Sequence, residues 1–222
     1  STFLDFRERA PLKATRDMYL DASGRPTGDS VTGWRAAAVP GTVRGLEFAH
    51  KKYGRLPWVK LMEPAIRLAA DGFAVSYGLA RSLKSAAPRL EKFPESKRIF
   101  LNGGAGWEVG QLLRQPELAA TLGRIARDGA RDFYEGESAA RLAAAMAANG
   151  GLITRDDLRQ YAVVERKPLP GRYKGYEIIS APPPSSGGIG ILQMMGVLEP
   201  SGYEKAGAGS AAAIHFLAEA MR

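Results

Sequence analysis

Glu137-Ser138-Ala139-Ala140-Arg141-Leu142-Ala143-Ala144-Ala145-Met146-Ala147-Ala148, then Asn149-Gly150-Gly151, then Leu152-Ile153-Thr154-Arg155-Asp156-Asp157, is the stretch from which the fold can be read. Alanine dominates its first part, and Leu142 and Met146 lie one turn apart on a single face, so the spacing predicts a helix from about Glu137 to Ala148. Asn149-Gly150-Gly151 ends it, because a helix terminus favours a left-handed residue that glycine adopts without strain. Thr154 and Asp157 stand at capping-box spacing and open another, short helix.

Upstream, the same 3.6-residue period continues. Val43, Leu46, Ala49 and Tyr53 mark a stripe closed by Gly54, and Pro57 opens a helix carrying Leu61, Met62, Ala65, Ile66 and Leu68, with Pro64 expected to kink it. Residues 76–92 read as a helix weakened by Pro88. Pro116 starts another with Leu118, Leu122, Ile125 and Ala126, ended by Gly129. Downstream of Tyr161 the period shortens. Residues 162–166 read as a strand and 172–179 as a tight turn entering a strand, Ile189 to Leu198 is apolar nearly all round and reads as a buried helix, and Ser210 caps a last helix with Ile214, Leu217 and Met221 on its stripe. The chain thus divides into a strand and loop lead-in (1–40), a helical lobe (41–161) and a segment of short strands plus buried helices (162–222). The fold class is mainly α, with a short β element near residues 162–180.

Both ends read as cut: the strand-like alternation is already under way at Ser1, and Ala218 to Arg222 stop within a helical pattern. No apolar run among the 222 residues is long enough for a membrane span. Cysteine is absent, which excludes disulfides and thiolate metal sites. The net charge of +8 is spread among single Lys and Arg residues interleaved with Asp and Glu, so no nucleic-acid partner is expected.

Few residues offer chemistry. His50 and His215 have no Ser, Cys or Asp at catalytic spacing. His50 suits a helix C-terminus and His215 an i, i+4 pair with Glu219. Ser1 could use its own amine as a base only if it were a true N-terminus. Asn102-Gly103-Gly104-Ala105-Gly106 lacks the Lys-Ser/Thr of a phosphate loop, and Asp156-Asp157 serve a helix start. Pro182-Pro183-Pro184-Ser185-Ser186-Gly187-Gly188 reads as a rigid entry to the following helix, or alternatively as a ligand-facing turn. Arg7 remains: a guanidinium at a strand end can grip a carboxylate through two parallel hydrogen bonds, or form an ion pair with Asp5, Glu8 or a distant acid.

Several segments, taken together and in order, resemble the γ-glutamyltranspeptidase family in its large-subunit region. They are Asp5-Phe6-Arg7-Glu8-Arg9-Ala10-Pro11 with Ala14-Thr15-Arg16-Asp17-Met18; Val39-Pro40-Gly41-Thr42-Val43 with Gly45; Tyr53-Gly54; Glu63-Pro64-Ala65 to Asp71-Gly72-Phe73; Asp132-Phe133-Tyr134-Glu135-Gly136; Asn149 to Thr154; and Pro182 to Gly188. The resemblance implies the helical large-subunit region of an N-terminal-nucleophile hydrolase of αββα architecture, in which a precursor cleaves itself before a Thr. That Thr then takes up the γ-glutamyl group of glutathione or a related donor and passes it to water or an amino acid. Arg7 matches the family arginine that binds the α-carboxylate of the γ-glutamyl moiety.

The family's Thr-Thr-His or Thr-Ser-His motif is missing, since Ala49 precedes His50 and Ile214 precedes His215, and Ser185-Ser186 are not its oxyanion-hole serines. The resemblance therefore implies no catalytic residue within the chain and no cofactor or metal. Its implied partners are a γ-glutamyl small molecule and a small subunit of the same precursor, and its implied location is periplasmic or secreted. Acylases acting on glutaryl side chains of cephalosporins and depolymerases of poly-γ-glutamate are close alternatives. A basic helical module that binds an acidic partner or nucleic acid is the alternative from another class.

Overall fold

The computed structural model describes residues 1–222. In chain order the elements begin with strand β1 (Phe3–Asp5), helices α1 (Thr42–Tyr53) and α2 (Trp58–Asp71), strand β2 (Phe73–Ala74), α3 (Tyr77–Leu90) and α4 (Pro94–Phe100). Strand β3 (Leu112–Leu113) is followed by α5 (Pro116–Asp128), α6 (Ala130–Tyr134), α7 (Glu137–Ala148) and α8 (Arg155–Gln160). Strands β4 (Val164–Arg166), β5 (Leu169–Tyr173) and β6 (Tyr176–Ser180) lead to α9 (Gly187–Leu198) and α10 (Ala211–Met221). The class is mainly α, as expected. The strands form three antiparallel two-stranded ribbons, β1–β4, β2–β3 and β5–β6.

The residues group into two compact units, one of Glu8–Tyr161 and one of Ser1–Arg7 with Ala162–Arg222. In the first unit the quoted stretch supplies the centre. Helix α7 spans the expected residues, and Gly150 after it takes φ +73°, the left-handed turn that lets the chain reverse. Its Ala139 and Met146 pack with Val39, Ala130, Tyr134, Ile153, Leu158 and Tyr161.

Tyr134 is fully buried, and its polar tip is fully used. The hydroxyl donates to the Pro40 carbonyl at 2.8 Å and accepts the Arg44 amide N–H at 3.2 Å, which fastens the start of α1 to α6. Burial pushes the Tyr134 phenol up to about 12, against the weaker opposing pull of the Arg44 amide, so it stays a neutral donor. The Tyr161 ring stacks on it at 5.7 Å, and the Arg44 guanidinium lies over it at 4.4 Å.

The expected capping box at Thr154 is present and has a second use. Asp157 Oδ2 accepts the Thr154 amide at 2.7 Å and the Thr154 hydroxyl, while Oδ1 accepts the Leu12 amide at 2.6 Å, tying the lead-in to α8. Burial would raise this carboxylate, but the bonds from Thr154 and Leu12 outweigh it and hold Asp157 below the ordinary range.

Several expectations are corrected. Leu46 and Tyr53 of the α1 stripe are exposed, because α1 is anchored through its first turns, where Val43 packs on the core and Gly45 is buried. Leu61 and Leu68 of α2 are likewise exposed. The inward row is Met62, Ile66 and Ala69, facing α5, where Trp58 Nε1 donates to the Ile125 carbonyl at 3.0 Å. Pro64 sits inside α2, which continues past it to Asp71. Helices α4 and α6 and the β2–β3 ribbon have no counterpart in the sequence reading, since each is too short to show a period.

Tyr134→Phe is expected to lower stability by about 1–3 kcal/mol, because it leaves a part-buried carbonyl and a part-buried amide without their partner; urea denaturation of the purified protein reads this directly. Asp157→Asn is expected to cost about 1–2 kcal/mol at neutral pH through loss of the cap and its charge-assisted bonds. A carboxylate with a depressed folded pKa stabilises above the unfolded value of about 4 and stops doing so as pH falls through the folded value. The gap in Tm between wild type and Asp157→Asn should therefore shrink below about pH 4.

Candidate functional site

Arg7 follows directly on a ribbon built from alternating residues. Strand β1 pairs with β4 in the register Phe3↔Arg166, Leu4↔Glu165, Asp5↔Val164. Asp5 and Arg166 thus lie diagonally on one face, within reach of a long side chain. Arg166 Nε donates to Asp5 Oδ2 at 2.8 Å, and the Asp5 side chain is only 12% exposed. The other oxygen, Oδ1, accepts the Arg7 backbone N–H at 3.2 Å, an Asx-type turn that ends the strand. At the opposite end, the Thr2 hydroxyl donates to Glu165 at 2.9 Å. Arg7 itself is exposed, beyond the end of the strand. A guanidinium held there offers a fork for a carboxylate.

The other sequence-selected residues stand elsewhere. His50 Nε2 lies 2.7 Å from the Leu56 carbonyl, and its ring is tilted on Trp58 at 5.3 Å, a structural role. His215 does not hold Glu219. Arg222, three residues from Glu219 and with a longer reach, takes that carboxylate at 2.9 Å. Ser1 is exposed. The glycine-rich loop contributes Gly104, Ala105 and Gly106 to a half-open hollow of about 800 Å³ lined mainly by apolar side chains such as Tyr77, Leu83, Phe100 and Trp107. Asp156 pairs with Arg159 at 2.8 Å, and Asp157 caps α8. No group of three or more His, Asp or Glu side chains is placed to hold a metal ion.

The Pro182–Gly188 stretch serves as a rigid entry. Pro182 and Gly188 are buried, and a Cβ on Gly188 would lie 2.4 Å from the Ala181 carbonyl oxygen and 2.9 Å from Ser180 Oγ. The first turn of α9 therefore sits directly on the end of β6. The expectation that α9 is buried is corrected. It packs on β5, where Leu192 meets Gly171, and on α10, but Ile189, Ile191 and Val197 remain exposed, as do Ile214, Leu217 and Met221 of α10.

Asp5 and Arg166 were not selected from sequence as functional residues. Asp5 stood only as a possible ion partner of Arg7, and the signal that pairs it with Arg166 is a strand register spanning the length of the chain.

Comparison with known proteins bears on what this arrangement serves. A family model described as Gamma-glutamyltranspeptidase matches residues 1–222. The chain is 46% identical to the glutathione hydrolase proenzyme of Escherichia coli (strain K12), covering 100% of this chain and 39% of that protein. It is 41% identical to the acylase ACY 1 proenzyme of Pseudomonas sp. (strain V22), covering 99% of this chain and 40% of that protein. The crystal structure of Helicobacter pylori γ-glutamyltranspeptidase superposes with a TM-score of 0.95 at 45% identity, over 98% of this chain and 63% of that one. The chain thus spans about two fifths of the length of these curated relatives.

Gly188→Ala is expected to destabilise the start of α9 by about 1–3 kcal/mol, since the added methyl meets a backbone oxygen that cannot swing away. Hydrogen exchange should show faster amide exchange in residues 187–192 of the variant, with α7 unaffected.

Proposed function

This chain belongs to the γ-glutamyltranspeptidase family, and we propose that its residues serve acyl transfer from γ-glutamyl donors such as glutathione, with Arg7 gripping the donor's α-carboxylate. Arg7 lies within Asp5-Phe6-Arg7-Glu8, at the position of the family's carboxylate-binding arginine, and the braced turn at the end of β1 gives its backbone a fixed starting point. That combination carries the reading.

Two parallel N–H···O bonds from the guanidinium would orient the donor by its charged end, leaving the γ-carbonyl free for attack. Neither Thr-Thr-His nor Thr-Ser-His occurs within residues 1–222, so the attacking Thr hydroxyl is proposed to come from a small subunit of the same precursor. The exposed Ile189, Ile191, Ile214 and Met221 support such a partner, because large apolar side chains left exposed on two adjoining helices suit a contact surface. No helix is long and apolar enough to cross a membrane, and the proposed location is periplasmic or secreted.

A second reading within the family is side-chain acylase activity, favoured by the 41% identity to an acylase proenzyme. Comparing kcat/KM for a γ-glutamyl anilide and for glutaryl-7-aminocephalosporanic acid in the complete enzyme decides between them.

Arg7→Ala is expected to weaken donor binding by about 2–5 kcal/mol, raising KM about 30-fold or more with a smaller change in kcat. Arg7→Lys should recover part of the loss, since a point charge replaces the fork. An unchanged KM in Arg7→Ala overturns the assignment.

A further inference from the structure

Resting on the reading of Arg7 above, we propose that Asp5 is a positioning residue for donor recognition: its carboxylate sets how the chain leaves β1, and therefore where the Arg7 fork stands, while Arg166 holds that carboxylate in place. The observation is a division of labour between two oxygens. Oδ1 takes the Arg7 backbone N–H at 3.2 Å, and Oδ2 takes Arg166 Nε at 2.8 Å. One carboxylate thus joins the strand that precedes Arg7 to the strand paired with it.

The ribbon needs such a brace. β1 and β4 are three residues each, and a two-stranded ladder of that length has little stability of its own. Without a side-chain tie, the last pair, Asp5↔Val164, is the one most prone to fray. The Asx turn fixes the backbone across Phe6, and the ion pair fixes the Asx turn. The Asp5 side chain is 12% exposed, whereas Arg166 at 40% exposure reaches in from the surface. A bidentate grip tolerates little displacement, on the order of 0.5 Å. Loss of the brace should then be felt at the guanidinium tip, several bonds away, as weaker recognition of the carboxylate rather than as slower chemistry.

The test uses the complete enzyme, with steady-state kinetics on a chromogenic γ-glutamyl anilide and inhibition by 4-aminobutyryl anilide, which lacks the α-carboxylate. Asp5→Ala should raise KM about tenfold or more while kcat stays within about twofold, the pattern of lost binding. Asp5→Asn keeps an oxygen for the Arg7 N–H and loses the ion pair, so its KM should fall between wild type and Asp5→Ala. Arg166→Met should resemble Asp5→Asn. The Ki of the carboxylate-free analogue should not move in any of them, which a general loosening of the site would not allow.

If Arg7→Ala raises KM but Asp5→Ala and Arg166→Met leave it unchanged, the positioning role is wrong and the reading of Arg7 stands. If Arg7→Ala itself leaves KM unchanged, the reading of Arg7 fails and this proposal falls with it. A drop in Tm with KM fixed, or an equal loss for both ligands, makes Asp5 a structural staple only and also overturns the proposal. Should Asp5→Ala fail to mature, Asp5→Asn and Arg166→Met carry the same comparison.

Discussion

A buried phenol must satisfy its hydroxyl, and in the Glu8–Tyr161 unit that requirement governs how the chain is assembled. Tyr134 sits where no water reaches, and its O–H finds the Pro40 carbonyl and the Arg44 amide, both from the segment that opens α1. An orphaned hydroxyl and two orphaned backbone groups in that position would together cost several times the net value of an ordinary hydrogen bond. The arrangement therefore fixes α6 against the start of α1. Tyr161 stacks on the same ring, and Leu158 and Ile153 fill the space beside it. Stretches far apart in sequence meet there: Pro40 and Arg44 satisfy the Tyr134 hydroxyl, and Ile153, Leu158 and Tyr161 pack with its ring.

Asp157 repeats the principle with a charge. A capping carboxylate at a helix start is usually solvated, but here its second oxygen is committed to the Leu12 amide. The stretch of the lead-in from Glu8 onward, made of turns and single bridges rather than continuous strands, is thereby tied to a helix well over a hundred residues away. The segment's own hydrogen bonds are local, such as the Ala14 amide to the Pro11 carbonyl and the Thr27 amide to the Tyr19 carbonyl, so the bond from Leu12 to Asp157 ties its first turn to where α8 begins.

How much of this could be read in advance follows from the range of each signal. α7, its Gly150 terminator and the Thr154 capping box involve residues within a few positions of one another, and all three were legible. So were Ser210 as a cap and the tight turn between β5 and β6. The exposure of Leu46, Leu61 and Ile189 was not, because periodicity reports that a face is apolar and only tertiary contacts decide whether it is covered. α6 was invisible for a related reason. Five residues show no stripe, and the helix is held by Tyr134 and by Glu47, whose carboxylate accepts the Ala130 amide at 2.9 Å from another helix. Arg7 could be singled out as a strand-end guanidinium, and resemblance supplied the role proposed for it. Its brace could not be read, since Asp5 and Arg166 stand 161 residues apart.

That last gap separates two kinds of information about a binding arginine. A local motif such as Asp5-Phe6-Arg7-Glu8 singles out the side chain proposed to meet the ligand, because the residue type dictates the chemistry. It says nothing about stiffness, and stiffness decides how much of the guanidinium's intrinsic affinity survives the entropy lost on binding. A long, exposed arginine on an unbraced three-residue strand would lose rotamer and backbone freedom together. With Asp5 already bonded to the Arg7 amide and to Arg166, the backbone part of that cost is met during folding. The Asp5 carboxylate accepts the Arg7 backbone amide and the Arg166 guanidinium, so it joins the chain before Arg7 to the paired strand. On the proposed reading, the affinity of Arg7 for an incoming carboxylate would be a property of the ribbon as much as of the guanidinium.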